Sequence, residues 1–345
     1  MSRTAVVLFN LGGPDSLGAV RPFLFNLFND AAIIRLPQPL RGLIAWLIAA
    51  RRAPTAREIY RHLGGGSPIL PNTQEQARAL EVALGAEFRV FIAMRYWHPL
   101  SDAAAAAVKA WRPDRVVLAP LYPQFSTTTT QSSVAEWRAS ASRAGLDVPT
   151  RLLCCWPEEQ GFIAAAAEEV ASVLAEVPAG ERIRVLFSAH GLPEKIVAAG
   201  DPYQWQVERT VAAIRARLAR ADLDSVICFQ SRVGPLAWIK PATDAEVRRA
   251  GAEKVSLIVI PIAFVSEHSE TLVELDRDYG RLAAETGVPR YRRLPTVSLH
   301  PAFIAGLAAR IREMAAAGPA IATATGGRLC PGRFAGCPAA EGAQG

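Results

Sequence analysis

Lysine and histidine are scarce in this chain, and long runs of basic residues are missing. The sequence has 345 residues, of which 4 are lysine and 5 are histidine, and its net charge is +6. No Lys/Arg-rich segment of the kind found in nucleic-acid-binding arms occurs. We therefore expect no nucleic-acid partner.

Long apolar runs are missing as well. The longest one near the amino terminus covers residues 42–50, which is shorter than the ~18–20 residues of a membrane span. The apolar start of the chain is followed directly by Asn-Leu-Gly-Gly-Pro at 10–14, without a cleavage pattern of small residues. The sequence therefore predicts no secretory signal and a cytoplasmic protein.

Cysteine is also rare, and its spacing is unlike that of a zinc site. The odd number of five, without a signal peptide, indicates a reducing compartment and no disulfide framework. Cys154 and Cys155 are adjacent, Cys330 and Cys337 are separated by six residues, and Cys228 lies in an apolar strand. None of them forms the CxxC pair that would be a strong metal signal.

Apolar residues, by contrast, are abundant. They make up 50% of the chain, and charged residues make up 20%. This ordinary globular profile excludes collagen-like, disordered and coiled-coil proteins. At roughly 100–200 residues per domain, the length suggests two domains.

Short β-branched runs alternate with longer segments rich in Ala, Leu, Glu and Arg. Strands are predicted at 5–10, 88–93, 115–119, 150–155, 183–188, 225–229 and 255–260. Helices are predicted near 72–85, 101–111, 133–144, 158–176, 202–220, 243–251 and 268–285. Most strands are continuously apolar, as in parallel sheets that are buried on both faces. The predicted fold class is therefore α/β, with ligands bound beyond the carboxyl ends of the strands.

The two halves of the chain resemble each other. The segment at 6–12 is similar to that at 185–191, and the segment at 115–120 is similar to that at 254–261, in the same order. We predict a duplicated α/β unit with domains at 1–150 and 151–299 and a cleft between them. The Gly-, Pro- and Ala-rich tail at 318–345 is predicted to be irregular.

His190 follows an apolar strand, in Phe-Ser-Ala-His-Gly-Leu-Pro at 187–193. At the ligand-facing end of a parallel strand, an imidazole can bind a metal ion or transfer a proton near neutral pH. The alternative is a turn residue that is hydrogen-bonded to the backbone.

A second histidine, His268, precedes a predicted helix on which Glu270, Glu274 and Asp278 share one face at i, i+4 and i+8. Like charges at this spacing repel each other, so we expect a cation to offset them. Carboxylates together with imidazole suit Mg²⁺, Mn²⁺ or Fe²⁺. The alternative is a solvated acidic face.

A glycine-rich turn, Tyr-Arg-His-Leu-Gly-Gly-Gly-Ser-Pro at 60–68, matches neither a phosphate-binding loop nor a dinucleotide fingerprint. Arginines at 51, 52 and 57 precede it, and arginine is the favoured partner of carboxylates. The Ser/Thr-rich segment at 126–133 adds hydroxyl groups at a strand end. An anionic ligand is one interpretation, and polar loops are the other.

Together these segments resemble the ferrochelatases, the haem-synthesis enzymes that insert Fe²⁺ into a porphyrin. The resemblance runs from about residue 6 to about residue 309. Its motifs are Asn-Leu-Gly-Gly-Pro-Asp (10–15), the turn at 60–68, Arg-Tyr-Trp-His-Pro (95–99), Leu-Tyr-Pro-Gln-Phe-Ser (121–126), Ser-Ala-His-Gly-Leu-Pro (188–193), Gly-Asp-Pro-Tyr (200–203), Gln-Ser-Arg-Val-Gly-Pro (230–235) and His-Ser-Glu-Thr-Leu-Val-Glu-Leu-Asp (268–276). Each motif is weak alone, but eight in this order are highly specific.

The resemblance implies a fold, a reaction and two substrates. It implies two Rossmann-like domains with a porphyrin cleft between them, and a helix at about 300–317 that packs back on the first domain. The implied enzyme is a lyase that inserts Fe²⁺ into protoporphyrin IX to give protohaem, the last step of haem b synthesis. Coproporphyrin III as the substrate, or a non-catalytic porphyrin or haem carrier, are the alternatives, and both a monomer and a homodimer remain open.

The resemblance also implies roles for single residues. His190 matches a histidine assigned either to iron or to pyrrole protons, and Glu270 matches its acidic partner, so both are the implied catalytic and metal residues. His268, Glu274 and Asp278 match neighbours on a metal or proton path. The residues implied to contact porphyrin are Arg52, Tyr60, Ser67, Arg95, Tyr96 and Trp238.

The apolar and aromatic segment at 23–50 resembles the lip that covers the porphyrin in this family. Residues 1–62 hold eight arginines against three acidic residues, a net charge of +5. This basic, apolar collar suits a carboxylated macrocycle and an anionic membrane surface. We therefore expect peripheral contact with the inner face of the cytoplasmic membrane, with core packing of the aromatic residues as the alternative.

Some ferrochelatases hold a [2Fe–2S] cluster on four cysteines. In animal members one ligand lies in the Ser/Thr segment, where this chain has Thr127. A cluster here would use Cys154 and/or Cys155 with Cys330 and Cys337, since iron–sulfur ligation tolerates unusual spacings.

Overall fold

The computed structural model describes residues 2–232, 234–316 and 319–339. Within these ranges the chain forms two compact units. Unit 1 holds the described residues up to Cys155, those from Ala308 to Arg328 and those from Pro338 onward. Unit 2 holds Trp156–Leu307 and Leu329–Cys337.

Unit 1 contains a five-stranded sheet in the order β2-β1-β3-β4-β9, and all its pairings are parallel. Its strands are β1 (Thr4–Asn10), β2 (Phe88–Met94), β3 (Arg115–Pro120), β4 (Thr150–Cys155) and β9 (Ile321–Thr323). Every residue of the interior strand β1 is buried, because helices cover both faces of a parallel sheet. This explains the continuous apolar run in its sequence.

The helices of unit 1 are α1 (Val20–Phe28), α2 (Leu40–His62), α3 (Ile69–Leu84), α4 (Ser101–Trp111) and α5 (Thr130–Ala144). A later helix, α11 (Pro301–Ala316), begins in unit 2 and ends in unit 1. The periodicity predicted neither α1 nor α2. In α2 the buried residues include the small Ala45 and Ala49, while the larger Leu43 and Trp46 are exposed, so the helix has no apolar stripe of the usual kind.

Unit 2 contains a four-stranded sheet in the order β6-β5-β7-β8, again with parallel pairings throughout. Its strands are β5 (Ile183–His190), β6 (Ser225–Gln230), β7 (Ser256–Pro261) and β8 (Tyr291–Arg293). Its helices are α6 (Gln160–Ala175), α7 (Glu194–Ala198), α8 (Tyr203–Leu218), α9 (Thr243–Glu253), a π-helix (Glu270–Tyr279) and α10 (Gly280–Thr286).

The two sheets repeat one topology. In strand order, β2-β1-β3-β4 of unit 1 corresponds to β6-β5-β7-β8 of unit 2. The paired sequence segments fall on matching strands, β1 with β5 and β3 with β7. The predicted fold class, α/β with parallel sheets in two similar halves, is confirmed.

Two segments differ from the expectations drawn from the sequence. The helix expected near 268–285 is a π-helix followed by the α-helix α10. The tail expected to be irregular contributes the edge strand β9, which pairs with β4. Residues 317, 318 and 340–345 of the predicted last helix and tail lie outside the described residues.

No helix within the described ranges is both long enough and apolar enough to cross a membrane.

Candidate active site

The candidate site lies at the carboxyl edge of the sheet in unit 2. Strand β5 ends at His190, which pairs in register with Gln230 at the end of β6. The chain that follows β7 brings His268 and then the π-helix. In parallel α/β sheets this edge is where ligands bind.

His190 is held in one tautomer by the backbone. Its Nδ1 lies 2.5 Å from the carbonyl oxygen of Gly191. A carbonyl oxygen only accepts hydrogen bonds, so Nδ1 carries the proton and Nε2 of the neutral ring has a free lone pair. That Nε2 lies 3.8 Å from Oε2 of Glu270, and 39% of the side chain is exposed. The backbone thus presents a free imidazole nitrogen to solvent and to a carboxylate.

His268 repeats this arrangement in a buried position. Its Nδ1 lies 3.0 Å from the carbonyl oxygen of Ser266, and its Nε2 lies 3.7 Å from Oε2 of Glu270. The ring of Phe264 flanks both imidazoles, with centroids 4.6 Å from His268 and 6.4 Å from His190. Two imidazole nitrogens are therefore aimed at one carboxylate oxygen.

Glu270 is the centre of this group. Its Oε2 is buried and has no hydrogen-bond partner among the described residues. Burial alone would raise the pKa of Glu270, but the positive charge of His190 and the nearby His268 outweigh it and lower the pKa to about 2. When both imidazoles are neutral, three electron-rich atoms face one another, and a proton or a metal cation relieves their repulsion.

Glu274, one turn along the π-helix, has a separate set of partners. Its Oε1 accepts hydrogen bonds from the backbone N–H of Ser231 at 2.8 Å and from the hydroxyl of Tyr279 at 2.9 Å. Its Oε2 accepts from Gln230 Nε2 at 3.3 Å and from the hydroxyl of Ser231. Burial raises the pKa of Glu274, and the negative charge of Glu270 raises it further. Asp278 follows on the same helix and is partly exposed.

The π-helix separates the predicted row of acidic residues into two sites. Glu270 faces the two imidazoles, whereas Glu274 binds the Gln230–Ser231 strand end. The two carboxylates still interact, since the negative charge of Glu270 raises the pKa of Glu274.

Residues that the sequence did not single out complete this arrangement. Gln230 donates from Nε2 to the carbonyl oxygen of Glu270 at 2.9 Å, and its own Oε1 accepts from Ser188 at 2.8 Å. The Tyr203 hydroxyl donates to the carbonyl oxygen of His190 at 3.0 Å. Gln230 and Tyr203 lie in the motifs at 230–235 and 200–203, which were the available signal.

Trp238, also in unit 2, lies beside the end of β5. It forms an isolated β-bridge with Pro193. A Cβ atom added to Gly191 would lie 3.2 Å from Cε3 of its ring, so the glycine after His190 allows this close approach. The indole Nε1 is buried and has no hydrogen-bond partner in the part of the chain that the structure describes.

Two predicted porphyrin contacts in unit 1 are joined to a buried carboxylate. Arg95 Nη2 lies 2.9 Å from Oδ2 of Asp30, and the hydroxyl of Tyr96 donates to the same oxygen at 2.8 Å. Tyr96 is only 1% exposed. Burial raises its pKa, and the charge of Asp30 raises it further. Ser132 also donates to Asp30 and accepts from Arg95 Nε. Asp30 was not predicted as a site residue.

The other predicted porphyrin contacts of unit 1 lie around α2 and the glycine-rich turn. The guanidinium of Arg52 stacks on the ring of Phe28 at 5.7 Å, and Tyr60 is buried. The backbone N–H of Ser67 donates to the carbonyl oxygen of Pro14 at 2.7 Å. The glycine-rich turn is thus tied to the loop after β1.

All five cysteines are buried. Cys154 and Cys155 end β4 in unit 1 with their Sγ atoms 3.5 Å apart. Cys330 and Cys337 belong to unit 2. Within residues 2–232, 234–316 and 319–339, no group of three or more His, Cys, Asp or Glu side chains is arranged to hold a metal ion. The predicted four-cysteine cluster site is therefore not supported by the described residues.

The sequence is similar to known proteins over its whole length. The ferrochelatase family model matches residues 3–315. The ferrochelatase of Caulobacter vibrioides (strain NA1000 / CB15N) is 50% identical over 347 residues, which cover 99% of this chain and 99% of that protein. The ferrochelatase of Phenylobacterium zucineum (strain HLK1) is 53% identical over 311 residues, 89% of this chain and 90% of its own.

Solved structures of lower identity share the fold. The structure of SirB from Bacillus subtilis with Fe³⁺ has a TM-score of 0.51 at 15% identity, covering 92% of this chain and 96% of its own. The sirohydrochlorin chelatase SirB from Bacillus subtilis subspecies spizizenii, in complex with cobalt, has a TM-score of 0.53 at 12% identity, covering 91% and 95%. At these identities the likeness concerns the fold alone.

Proposed function

Because the chain belongs to the ferrochelatase family, we propose that it is a porphyrin metal chelatase that inserts Fe²⁺ into protoporphyrin IX to give protohaem. Full-length identity of about 50% to named ferrochelatases supports the reaction. The observation that carries the assignment of the site is the buried, unpartnered Oε2 of Glu270, which faces the Nε2 atoms of His190 and His268.

Metal insertion must remove two protons from the pyrrole nitrogens and strip water from Fe²⁺. In the proposed mechanism His190 accepts the two pyrrole protons one after the other at Nε2, because Nδ1 is already committed to Gly191. The first proton leaves along the path described below before the second is accepted. The ionised Glu270 stabilises the resulting imidazolium at a distance of 3.8 Å. The same two atoms can instead hold Fe²⁺ before transfer, because imidazole and carboxylate both suit this ion.

The remaining residues of this edge form the proposed path for metal or protons. His268 is the second imidazole that faces Glu270, and Glu274 and Asp278 follow along the π-helix. No closed three-ligand group exists in the described part of the chain.

Porphyrin binding is proposed for Arg52, Tyr60, Ser67, Arg95, Tyr96 and Trp238. Arg95 already faces the carboxylate of Asp30. Arg52 is partly exposed and forms no ion pair within the described residues. Arg52 is therefore the better placed cation for a carboxylate of the macrocycle.

A peripheral membrane contact through the lip at 23–50 is supported by its exposed apolar side chains. Leu40, Leu43, Trp46 and Leu47 are each about half exposed. Arg41 lies among them, and residues 1–62 carry a net charge of +5. Apolar side chains beside arginines are typical of surfaces that rest on anionic lipid. On this proposal the protein is cytoplasmic and binds the inner face of the membrane.

The described residues do not present a site for a [2Fe–2S] cluster, and we assign no step of the proposed reaction to one. A cluster on Cys154, Cys155, Cys330 and Cys337 has a direct test. Anaerobically purified protein would show visible charge-transfer absorption and contain stoichiometric iron and acid-labile sulfide. Protein that lacks all three would remove the cluster from the proposal.

The experiment that tests the function is anaerobic incubation with Fe²⁺ and either protoporphyrin IX or coproporphyrin III. We expect haem to form faster from protoporphyrin IX. Preference for coproporphyrin III would keep the chemistry and change the substrate. Tight porphyrin binding without insertion of iron would indicate a carrier instead of an enzyme.

A further inference from the structure

The edge strand β8 holds the segment that carries the proposed metal-handling residues. Arg293, at the end of β8, binds two carboxylates. Its Nη1 donates to Oε1 of Glu267 at 2.6 Å, and its Nε donates to Oδ1 of Asp276 at 2.7 Å. Its Nη2 donates to the second oxygen of Asp276 at 2.5 Å. One guanidinium thus joins the residue before His268 to the middle of the π-helix.

The two anchor points enclose the candidate site along the chain. His268, Glu270 and Glu274 all lie between Glu267 and Asp276. The position of Glu267 is fixed further, because the backbone N–H of Thr296 donates to the same Oε1 of Glu267 at 2.9 Å. The arginine therefore fixes the segment on both sides of the residues that face His190.

Strand β8 makes a second bond to the π-helix. Tyr291 and Arg293 are two residues apart and so point to the same side of the strand. The Tyr291 hydroxyl donates to the carbonyl oxygen of Leu275 at 2.7 Å, next to Asp276. A π-helix of ten residues is a rare conformation that is usually confined to single turns. It therefore depends on tertiary contacts such as these.

We propose that Arg293 is a positioning residue that sets the distances between Glu270 and the imidazoles of His190 and His268 by fixing Glu267 and Asp276. This inference rests on the proposed function of that site. Arg293 does not touch the proposed reacting atoms, and its side chain is only 9% exposed. Its planar guanidinium reaches both carboxylates at once, which a lysine ammonium cannot do with the same geometry.

The test compares Arg293→Met with Arg292→Met. Arg292 is the neighbouring residue on β8, is 47% exposed and pairs with Glu176. Both variants lose one arginine from the same strand, but only the first releases the π-helix. We expect kcat for iron insertion to fall by about 10- to 100-fold in Arg293→Met, since small misplacements of reacting groups have effects of this size. The KM for porphyrin should stay unchanged, and Arg292→Met should behave like the unmodified protein.

Arg293→Lys and Asp276→Asn provide milder variants if Arg293→Met fails to fold. Arg293→Lys keeps a positive charge at this position, and Asp276→Asn keeps the contact between Arg293 and Glu267. Each should therefore lower kcat less than Arg293→Met and keep porphyrin binding. Equal kcat in Arg293→Met and Arg292→Met would overturn the proposal. A parallel loss of kcat, porphyrin affinity and thermal stability in the mild variants would also overturn it, because it would show a general structural role.

Amide hydrogen exchange separates this proposal from the proposed function. Loss of the Arg293 contacts with Glu267 and Asp276 should speed amide exchange within 267–279 in Arg293→Met and not in Arg292→Met, whether or not the chain inserts iron. Faster exchange in Arg293→Met, together with no iron insertion by the unmodified protein, would support the positioning role of Arg293 and reject the proposed function. Unchanged exchange in Arg293→Met, together with iron insertion by the unmodified protein, would reject the positioning role of Arg293 and support the proposed function.

Discussion

Unit 1 and unit 2 share one strand order, but the corresponding interior strands β1 and β5 end in residues of different chemistry. The strand β1 ends in Asn10, which is buried and donates from Nδ2 to the hydroxyl of Thr73 at 3.0 Å. The corresponding strand β5 ends in His190, whose side chain is 39% exposed. The same edge thus holds a satisfied amide in one unit and an accessible imidazole in the other.

The charged residues near the two edges differ in the same way. In unit 1 the carboxylate of Asp30 is paired with Arg95 and bonded to Tyr96. In unit 2 the Oε2 of Glu270 has no hydrogen-bond partner among the described residues. An architecture alone does not decide chemistry, because reactivity depends on which groups are left without partners. On the proposed function metal handling belongs to unit 2, and the predictions below test that proposal.

The largest expected effect is that of His190→Ala, set against Asn10→Ala at the matching position. His190→Ala should abolish iron insertion and leave porphyrin binding intact, because the proposed proton acceptor is removed. Asn10→Ala should lower the free energy of unfolding by about 1–3 kcal/mol, since it leaves a buried partner unpaired. Anaerobic turnover, porphyrin fluorescence and thermal unfolding measure these outcomes. Near-normal turnover in His190→Ala would reject its role.

Glu270→Gln should lower the rate of metal insertion by about 100-fold, on the scale of removing one electrostatic contact at a reacting centre. Its thermal midpoint at neutral pH should also fall, but by less than the rate, because the ionised carboxylate that is lost has a pKa lowered by folding and so stabilises the protein. Glu274→Gln is the comparison variant and should lower the rate less than Glu270→Gln, since Glu274 lies on the proposed path but is held by Ser231 and Tyr279 away from the imidazoles. An unchanged rate in Glu270→Gln would reject its role in metal insertion.

The low pKa of Glu270, about 2, sets a pH dependence. A carboxylate whose pKa is lowered by folding stabilises the protein fully above its unfolded pKa of about 4.3. This contribution is lost as the pH falls towards about 2. We therefore expect the thermal midpoint of the unmodified protein to exceed that of Glu270→Gln most above about pH 4.3, and the two midpoints to converge as the pH falls towards about 2. Parallel midpoint curves for the two proteins across pH 2–7 would contradict the low pKa.

Asp30→Asn should have a smaller effect on turnover than either change in unit 2. It leaves the guanidinium of Arg95 without its close partner, and breaking a buried ion pair costs about 3–5 kcal/mol of stability. We expect the KM for porphyrin to rise while kcat of the folded protein stays constant. A fall in kcat at unchanged KM would indicate that Asp30 in unit 1 acts in the chemical step, and would contradict the proposal that metal handling belongs to unit 2.

The smallest effect on turnover is expected for the lip. Replacing Leu43 and Trp46 by serine should leave insertion in solution unchanged and reduce co-sedimentation with vesicles that contain phosphatidylglycerol. Val82→Ser is the control, because Val82 is an exposed apolar residue on α3 outside the lip. Equal vesicle binding by all three proteins would remove the membrane contact.

Much of the fold could be predicted from local patterns. Continuous apolar runs marked the strands because both faces of a parallel sheet are buried, and two repeated segments indicated the duplication. The helices α1 and α2 were missed because α2 buries alanines such as Ala49 and exposes Leu43 and Trp46. Periodicity assumes that the larger apolar residues face the core, and here they do not.

The sequence by itself determined that His190 and Glu270 follow apolar strands, since the order of residues along the chain shows which side chains come after each strand. Only the tertiary structure decided what each one faces. Long-range contacts place Asp30 against Arg95 and Tyr96, and Arg293 against Glu267 and Asp276. Other contacts between distant segments set Glu270 against the two imidazoles and Glu274 against Ser231. Spacing along a chain carries no information about such partners, because they come from distant segments that meet only when the sheets form.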